Sequence, residues 1–278
     1  MFRLFIAPAI FCAFIIGVIA LAPSSGGALV SAQDRTASVP TPTPAPAKVD
    51  KNTKNFSAEQ IAESAIFIYG SRPVLQQIRR NGVERGRITR LASDGKTEEA
   101  TYERVFVRGD SLEKDKIRLD QKLPTLEYSL VFGEGRIWGI INGAAFTPRQ
   151  DAVSAFMSQH RHSIEALLRY KETGSTIKLI GKDKQKGLDL YVLDLTDKEQ
   201  RTTRYYISAK TLHILWLEYS EGNAKFSKRF ADYRYAQSTL VPFRTILFED
   251  DKQTQETRIL TVTFGVKVDD ALFKNPSA

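Results

Sequence analysis

The side chains of this 278-residue chain that could do metal, nucleophilic or acid-base chemistry are three histidines, one cysteine and a scatter of carboxylates. His160 and His162 stand two apart in a helical stretch, so they face different ways, and His213 lies in a strand-like stretch. None has a partner at the His-x-x-x-His spacing that would aim two imidazoles at one ion. There is no Gly-x-Ser-x-Gly elbow, P-loop or dinucleotide fingerprint, and Gly133-Glu134-Gly135 reads as a turn. Asp189, Asp194, Glu218, Asp232 and Glu249 could converge on one sheet face as an acid-base pair, yet their spacing selects no two of them. The plainer reading has them facing water or paired with Arg204, Arg234 or Arg244. The chain is therefore read as a non-enzyme with no metal and no cofactor, a hydrolase built on unrecognised carboxylates being the remotest alternative.

Aromatic residues say more. Tyr205, Tyr206, Trp216, Tyr219, Phe226, Phe230, Tyr233, Tyr235, Phe243 and Phe248 crowd the C-terminal third. Core packing accounts for at least half of them; the sharper reading is an apolar groove between a sheet and helices. An acyl chain buried there would gain about 0.8 kcal/mol per CH₂ without one specific polar contact.

These aromatics sit on a run of strands from Thr203 to Phe273, rich in β-branched residues and punctuated by Ala209-Lys210, Glu221-Gly222-Asn223 and Asp250-Asp251-Lys252. Such short connections predict an antiparallel meander. Alternation places Leu212, Ile214 and Trp216 on one face, opposite Leu215, Leu217 and Tyr219; in the last strand Ile259 opposes Leu260, Val262 and Phe264. Both faces are apolar, so both need cover.

Helices can supply it. Ser57-Ala-Glu-Gln60 is a capping-box start, followed by Ile61, Ala65, Ile68, Leu75 and Ile78 at helical spacing, with Gly70 and Pro73 breaking or kinking the run. Thr147-Pro-Arg-Gln150 reads as a second capping box, opening a helix to about Lys171 whose stripe is Val153, Phe156, Met157, His160, Ile164, Leu167 and Leu168. Between them, strands are expected at 83–91, 97–108, 116–123, 126–132 and 136–141, the first two joined at Ser93-Asp94-Gly95. Further strands follow at 175–180 and 188–195. The order helix, strands, helix, strands gives an α+β, mainly β fold rather than alternating βαβ units.

The N-terminal part is of another kind. Arg3 is the only charge before Asp34, and Leu4 to Leu21 is nearly unbroken apolar sequence; Val30-Ser31-Ala32 fits signal-peptide cleavage before Gln33. An uncleaved anchor is the rival, since about 18 apolar residues can span a bilayer. Either way residues 1–32 place the rest outside the cytoplasm. Cys12 lies inside that run, after Ile10 and Phe11 rather than the small residues a lipoprotein signal needs, so the exported part carries no thiol. Residues 33–55 are Pro-, Thr- and Ala-rich and read as a semi-rigid disordered linker, leaving 56–278 as one domain. The net charge of +8 is spread over interleaved basic and acidic residues, which suits a solvated surface in transient contact with membrane or envelope proteins and not a nucleic-acid partner.

Several pieces in order resemble the LolA-type lipoprotein carrier superfamily: Tyr69-Gly-Ser-Arg-Pro-Val-Leu-Gln-Gln-Ile-Arg, Val131-Phe-Gly-Glu-Gly-Arg-Ile-Trp138, Tyr205-Tyr-Ile-Ser-Ala-Lys-Thr-Leu, Phe230-Ala-Asp-Tyr-Arg, Leu240-Val-Pro-Phe-Arg and Val268-Asp-Asp-Ala-Leu-Phe273. The resemblance implies a strongly bent antiparallel half-barrel with helices over its concave face and a hydrophobic cavity between. It also implies a periplasmic location and a cargo of lipid or lipoprotein acyl chains, passed between membranes unchanged. In the dedicated carriers an arginine followed by proline near the cavity mouth supports handover; Arg118-Leu-Asp-Gln stands roughly there, without the proline. Trp138, Phe156, Trp216 and Phe248 are the expected cavity lining. The competing reading is an envelope interaction module with a filled core and no ligand.

Overall fold

A computed structural model describes residues 56–91 and 95–275. The apolar leader, the Pro-rich stretch and Ser93-Asp94 of the first hairpin lie outside the described residues.

Helix α1 (Ala58–Tyr69) starts as its sequence dictates: Ser57 accepts from the Gln60 N–H at 3.2 Å and the Gln60 side chain takes the Ser57 N–H at 2.8 Å. Gly70 ends it at φ 136°, a conformation costly for any other residue, and Pro73 falls in the first turn of a separate helix α2 (Arg72–Ile78).

Six strands follow: β1 (Asn81–Leu91), β2 (Thr97–Val107), β3 (Lys116–Lys122), β4 (Glu127–Gly133), β5 (Arg136–Ile141) and the unforeseen β6 (Ala144–Phe146). The expected long second helix is three short ones, α3 (Gln150–Arg161), α4 (Ile164–Leu168) and α5 (Tyr170–Thr173). Its expected capping box does not form: α3 begins after Arg149 with no side-chain cap. The break after α3 lets the His162 ring stack on Tyr219 at 3.9 Å, with Nδ1 2.6 Å from Thr203 Oγ1. A continuous helix could not turn that ring inward and still seat Leu167 and Leu168 on the sheet.

Seven more strands complete the chain: β7 (Thr176–Gln185), β8 (Leu188–Thr196), β9 (Thr202–Ser208), β10 (Ile214–Glu221), β11 (Ala224–Ala236), β12 (Thr239–Glu249) and β13 (Lys252–Phe264). A 3-10 turn, Asp270–Phe273, ends the described chain. All thirteen form one antiparallel sheet ordered β6-β5-β4-β3-β2-β1-β13-β12-β11-β10-β9-β8-β7. Every neighbour is also a neighbour in sequence except β1 and β13, so the two ends of the domain meet at mid-sheet. The sheet stays open between β6 and β7, and the longest connection between strands among the described residues, α3 to α5, crosses there. The result is a bent half-barrel with helices over its concave face.

Two bulges correct the expected facing. In β10 the register slips between Ile214 and Trp216, so Ile214, Leu217 and Tyr219 face the helices while Leu215 and Trp216 turn outward together. The slip frees the Ile214 backbone from the ladder; the Tyr69 hydroxyl accepts from its N–H at 3.2 Å and the Tyr233 hydroxyl donates to its carbonyl. In β13 the extra residue is Leu260, opposite the step from Arg85 to Gly86. Leu260 is 57% exposed, and Ile259, Val262 and Phe264 all join the helix-side core.

Candidate ligand-binding groove

The concave face has two unlike halves. Over β7 to β10, helices α1 and α4 bury Ile61, Ile66, Tyr69, Leu167 and Leu168 against Leu193, Tyr205, Ile207, Ile214 and Leu217, which lose essentially all exposure. Over β2 to β5 and β12 to β13 the cover is α3, with Ile78 at the end of α2 beside it. There Phe106, Ile117, Phe132, Val241 and Phe264 form a buried floor, while Ile137, Phe156, Met157, Phe243, Ile259 and Val262 are only half-buried against it. Helix α3 has one fully buried residue, Ser158. Phe156 approaches Phe132 at 6.3 Å between ring centroids, and His160 approaches the same ring at 5.7 Å.

The far end of α3 is held by polar contacts. Lys228, projecting from β11, donates to the carbonyls of Gln159 and His162 at 2.8 and 2.6 Å, where a helix C-terminus favours a cation. Burial brings its ammonium down to about 7. Burial likewise pushes His160 down to about 4 and His162 to about 3, so both are neutral at pH 7.

Between the halves lies a buried charged seam. Arg169 grips Asp115 with two bonds of 3.0 and 2.8 Å from Nη1, and donates to the Gly109 carbonyl at 2.6 Å. Glu165 pairs with Arg79 and, at 3.4 Å, with Arg108. Burial would raise the Glu165 carboxyl, but Arg79, Arg108, Arg169 and Arg104 outweigh it and hold it down at about 2. A cavity of about 60 Å³ opens in this seam, and a second of about 120 Å³ lies among polar residues from Ser111 to Thr203. Both fall below the about 300–1,000 Å³ usual for a small-molecule pocket.

The four expected lining residues do not come together. Phe156 faces the concave side on α3. Trp138 pairs with Val131 and packs on the outer face with Val105 and Phe273. Trp216 pairs with Tyr206, stacked at 4.5 Å, on the outer face of β8 to β10. Phe248 pairs with Ser227, one residue out of phase with Lys228, and lies under the Arg229 guanidinium on that outer face. Arg118 also turns outward, bonded to Asp120 at 2.9 Å and to the Leu272 carbonyl at 3.3 Å, so it does not stand at a cavity mouth. Asp194 is taken by Arg204 and Glu218 by the Tyr206 hydroxyl.

The charged seam was not foreseen. One signal existed: Tyr102, Arg104 and Phe106 alternate on one face of β2, putting an arginine among core aromatics. Another was Glu165 and Arg169, four apart beside Leu167 and Leu168.

Comparison of the sequence matches no family profile and no curated protein. Comparison of the fold matches a LolA superfamily protein from Nitrosomonas europaea (TM-score 0.56, 13% identity, 81% of this chain and 100% of the other). It also matches a domain described as an outer membrane lipoprotein-sorting protein from Vibrio parahaemolyticus (0.55, 11%, 80% and 97%) and a DUF1329 family protein from Desulfovibrio piger (0.57, 11%, 80% and 99%). At such identities the likeness is one of fold, and it extends over nearly the whole of each neighbour. With its open antiparallel sheet and helix-covered concave face, the chain has the LolA-like half-barrel fold.

Proposed function

We propose that this is a non-enzymatic, exported binding or carrier protein that lays an acyl chain of a lipid or lipoprotein between α3 and the β4-β5-β12-β13 part of the concave face. One observation carries the reading: six apolar side chains there, Ile137, Phe156, Met157, Phe243, Ile259 and Val262, are half-buried around a hydrophobic floor, under a helix with no fully buried apolar residue. Completing their burial would gain about 25 cal/mol for each Å² removed from water. Displacing α3 gives up little apolar burial and opens the floor, so cargo can enter without disturbing α1 and its core. The leader and linker of residues 1–55 fit export to the periplasm, and contact with membrane or envelope proteins follows from that location.

The test is to purify the protein under native conditions, identify bound lipid by mass spectrometry, and titrate delipidated protein with 1-palmitoylglycerol by calorimetry. Binding in the micromolar range is expected; no co-purified lipid together with no heat of binding would sink the proposal. The second reading, an envelope interaction module without ligand, is favoured by the small cavities of about 60 and 120 Å³. The same titration separates the two.

A further inference from the structure

The cavity in the charged seam is chemically out of keeping with an acyl chain, and its position suggests what else it holds. It is lined by four arginines, Arg79, Arg104, Arg108 and Arg169, against three carboxylates, Asp115, Glu165 and Glu84. The carboxylates are largely committed: Asp115 to Arg169, Glu165 Oε1 to Arg79, and Glu84 to the Tyr102 hydroxyl, which donates at 2.6 Å, while Glu165 Oε2 lies 3.4 Å from Arg108 without a hydrogen bond. The arginines are not exhausted. Arg79 Nε and Nη1 are buried without a hydrogen-bond partner, and a buried guanidinium nitrogen left unpaired is costly. Arg104 makes no ion pair among the described residues; its guanidinium lies 4.9 Å over the Phe106 ring. The cavity thus holds excess positive charge and unused donors in a space of about 60 Å³, the room of about two water molecules.

Apart from His160, its remaining wall is apolar and shared. Phe106, Ile117, Val241 and Phe264 line the cavity and are also the floor of the groove beneath α3. An amphiphile lying in that groove would bring its polar end to these arginines. We propose that the cavity is a head-group site for a phosphate carried by the acyl-chain ligand, with Arg79 and Arg104 as its donors; this rests on the acyl-chain reading above. Arginine suits phosphate because its planar donors match the oxygens.

The test compares 1-palmitoyl-lysophosphatidic acid with 1-palmitoylglycerol, which differ only by the phosphate, by calorimetry on the purified full chain. The phosphate ligand is expected to bind at least tenfold tighter, Arg79→Gln or Arg104→Gln to erase most of that difference, and inorganic phosphate alone to bind only at millimolar concentration. Equal affinity for the two lipids overturns the head-group site and leaves the acyl-chain reading standing. Binding of neither overturns both. Inorganic phosphate binding as tightly as the lipid would assign the cavity to a free anion and overturn the lipid head group. Should Arg79→Gln fail to fold by circular dichroism, the wild-type comparison and Arg104→Gln still decide.

Discussion

The half of the concave face under α1 and α4 and the half under α3 are built from the same residue types on the same sheet, yet they are finished differently. Under α1, side chains from two helices interlock with four strands, and Tyr69, Leu193, Tyr205, Ile207 and Leu217 are fully excluded from water. Under α3, the floor is excluded but the wall is not. A close-packed region resists change because every methylene has partners on all sides; a half-covered one can exchange a helix for a ligand at small cost. The first half reads as scaffold and the second as working surface, and the charged seam between them fixes where one becomes the other.

The seam should be the most expensive place to break that division. Asp115→Ala would leave Arg169, 1% exposed, without its bidentate partner and with only half-buried Glu172 at 3.3 Å and the Gly109 carbonyl against its buried charge. A loss of about 3–5 kcal/mol in urea unfolding is expected. A change under 1 kcal/mol would mean that the pair is hydrated and that the halves are not divided there.

Next come matched truncations on the two sides. Leu167→Ala, in the packed half and fully excluded, should cost about 2–5 kcal/mol. Met157→Ala, half-buried on α3, should cost about 1 kcal/mol. Equal losses would erase the contrast between scaffold and working surface.

Acidification should act chiefly at the end of α3, His213 beside Tyr233 being the one other imidazole held below its ordinary value among the described residues. His160, His162 and Lys228 all sit where α3 ends, and all three are held below their ordinary values. Each contributes stability present above its unfolded pKa and lost as pH falls through its folded value. For Lys228 the window runs from 10.5 down to about 7, and for His160 from 6.5 down to about 4. Amide exchange in α3, corrected for intrinsic rate, should therefore quicken from pH 8 to pH 5 relative to α1, and Lys228→Met should remove the part of the change above pH 7. Uniform behaviour of both helices would show that the α3 end is not separately held.

The sequence made some of this legible and hid the rest for identifiable reasons. Capping at Ser57, the break at Gly70 and Pro73, and the strands of the meander follow from local chemistry, and all were readable. The pairing of β1 with β13 was not, because register between residues as far apart in sequence as Gly82 and Phe264 leaves no local trace. Facing failed wherever a single extra residue entered a strand: counting by twos across Leu215 or Leu260 carries every later side chain to the wrong side. The seam stayed hidden because charged residues in a chain of mixed charge are normally read as surface, and only their tertiary partners make them interior.

Trp216 tests the facing shift at the bulge with the smallest expected effect. Period-two counting from Leu212 places its indole in the groove, and on that basis Trp216→Asp would abolish ligand binding. The bulge after Ile214 instead stacks it on Tyr206 outside the sheet. Phe156→Asp, on α3 over the hydrophobic floor, is therefore expected to weaken 1-palmitoylglycerol binding more than tenfold, and Trp216→Asp to change it less than twofold while the protein still folds by circular dichroism. If the two variants changed places, the acyl chain would lie on the convex face, and the half-covered surface under α3 would be only an unfinished core.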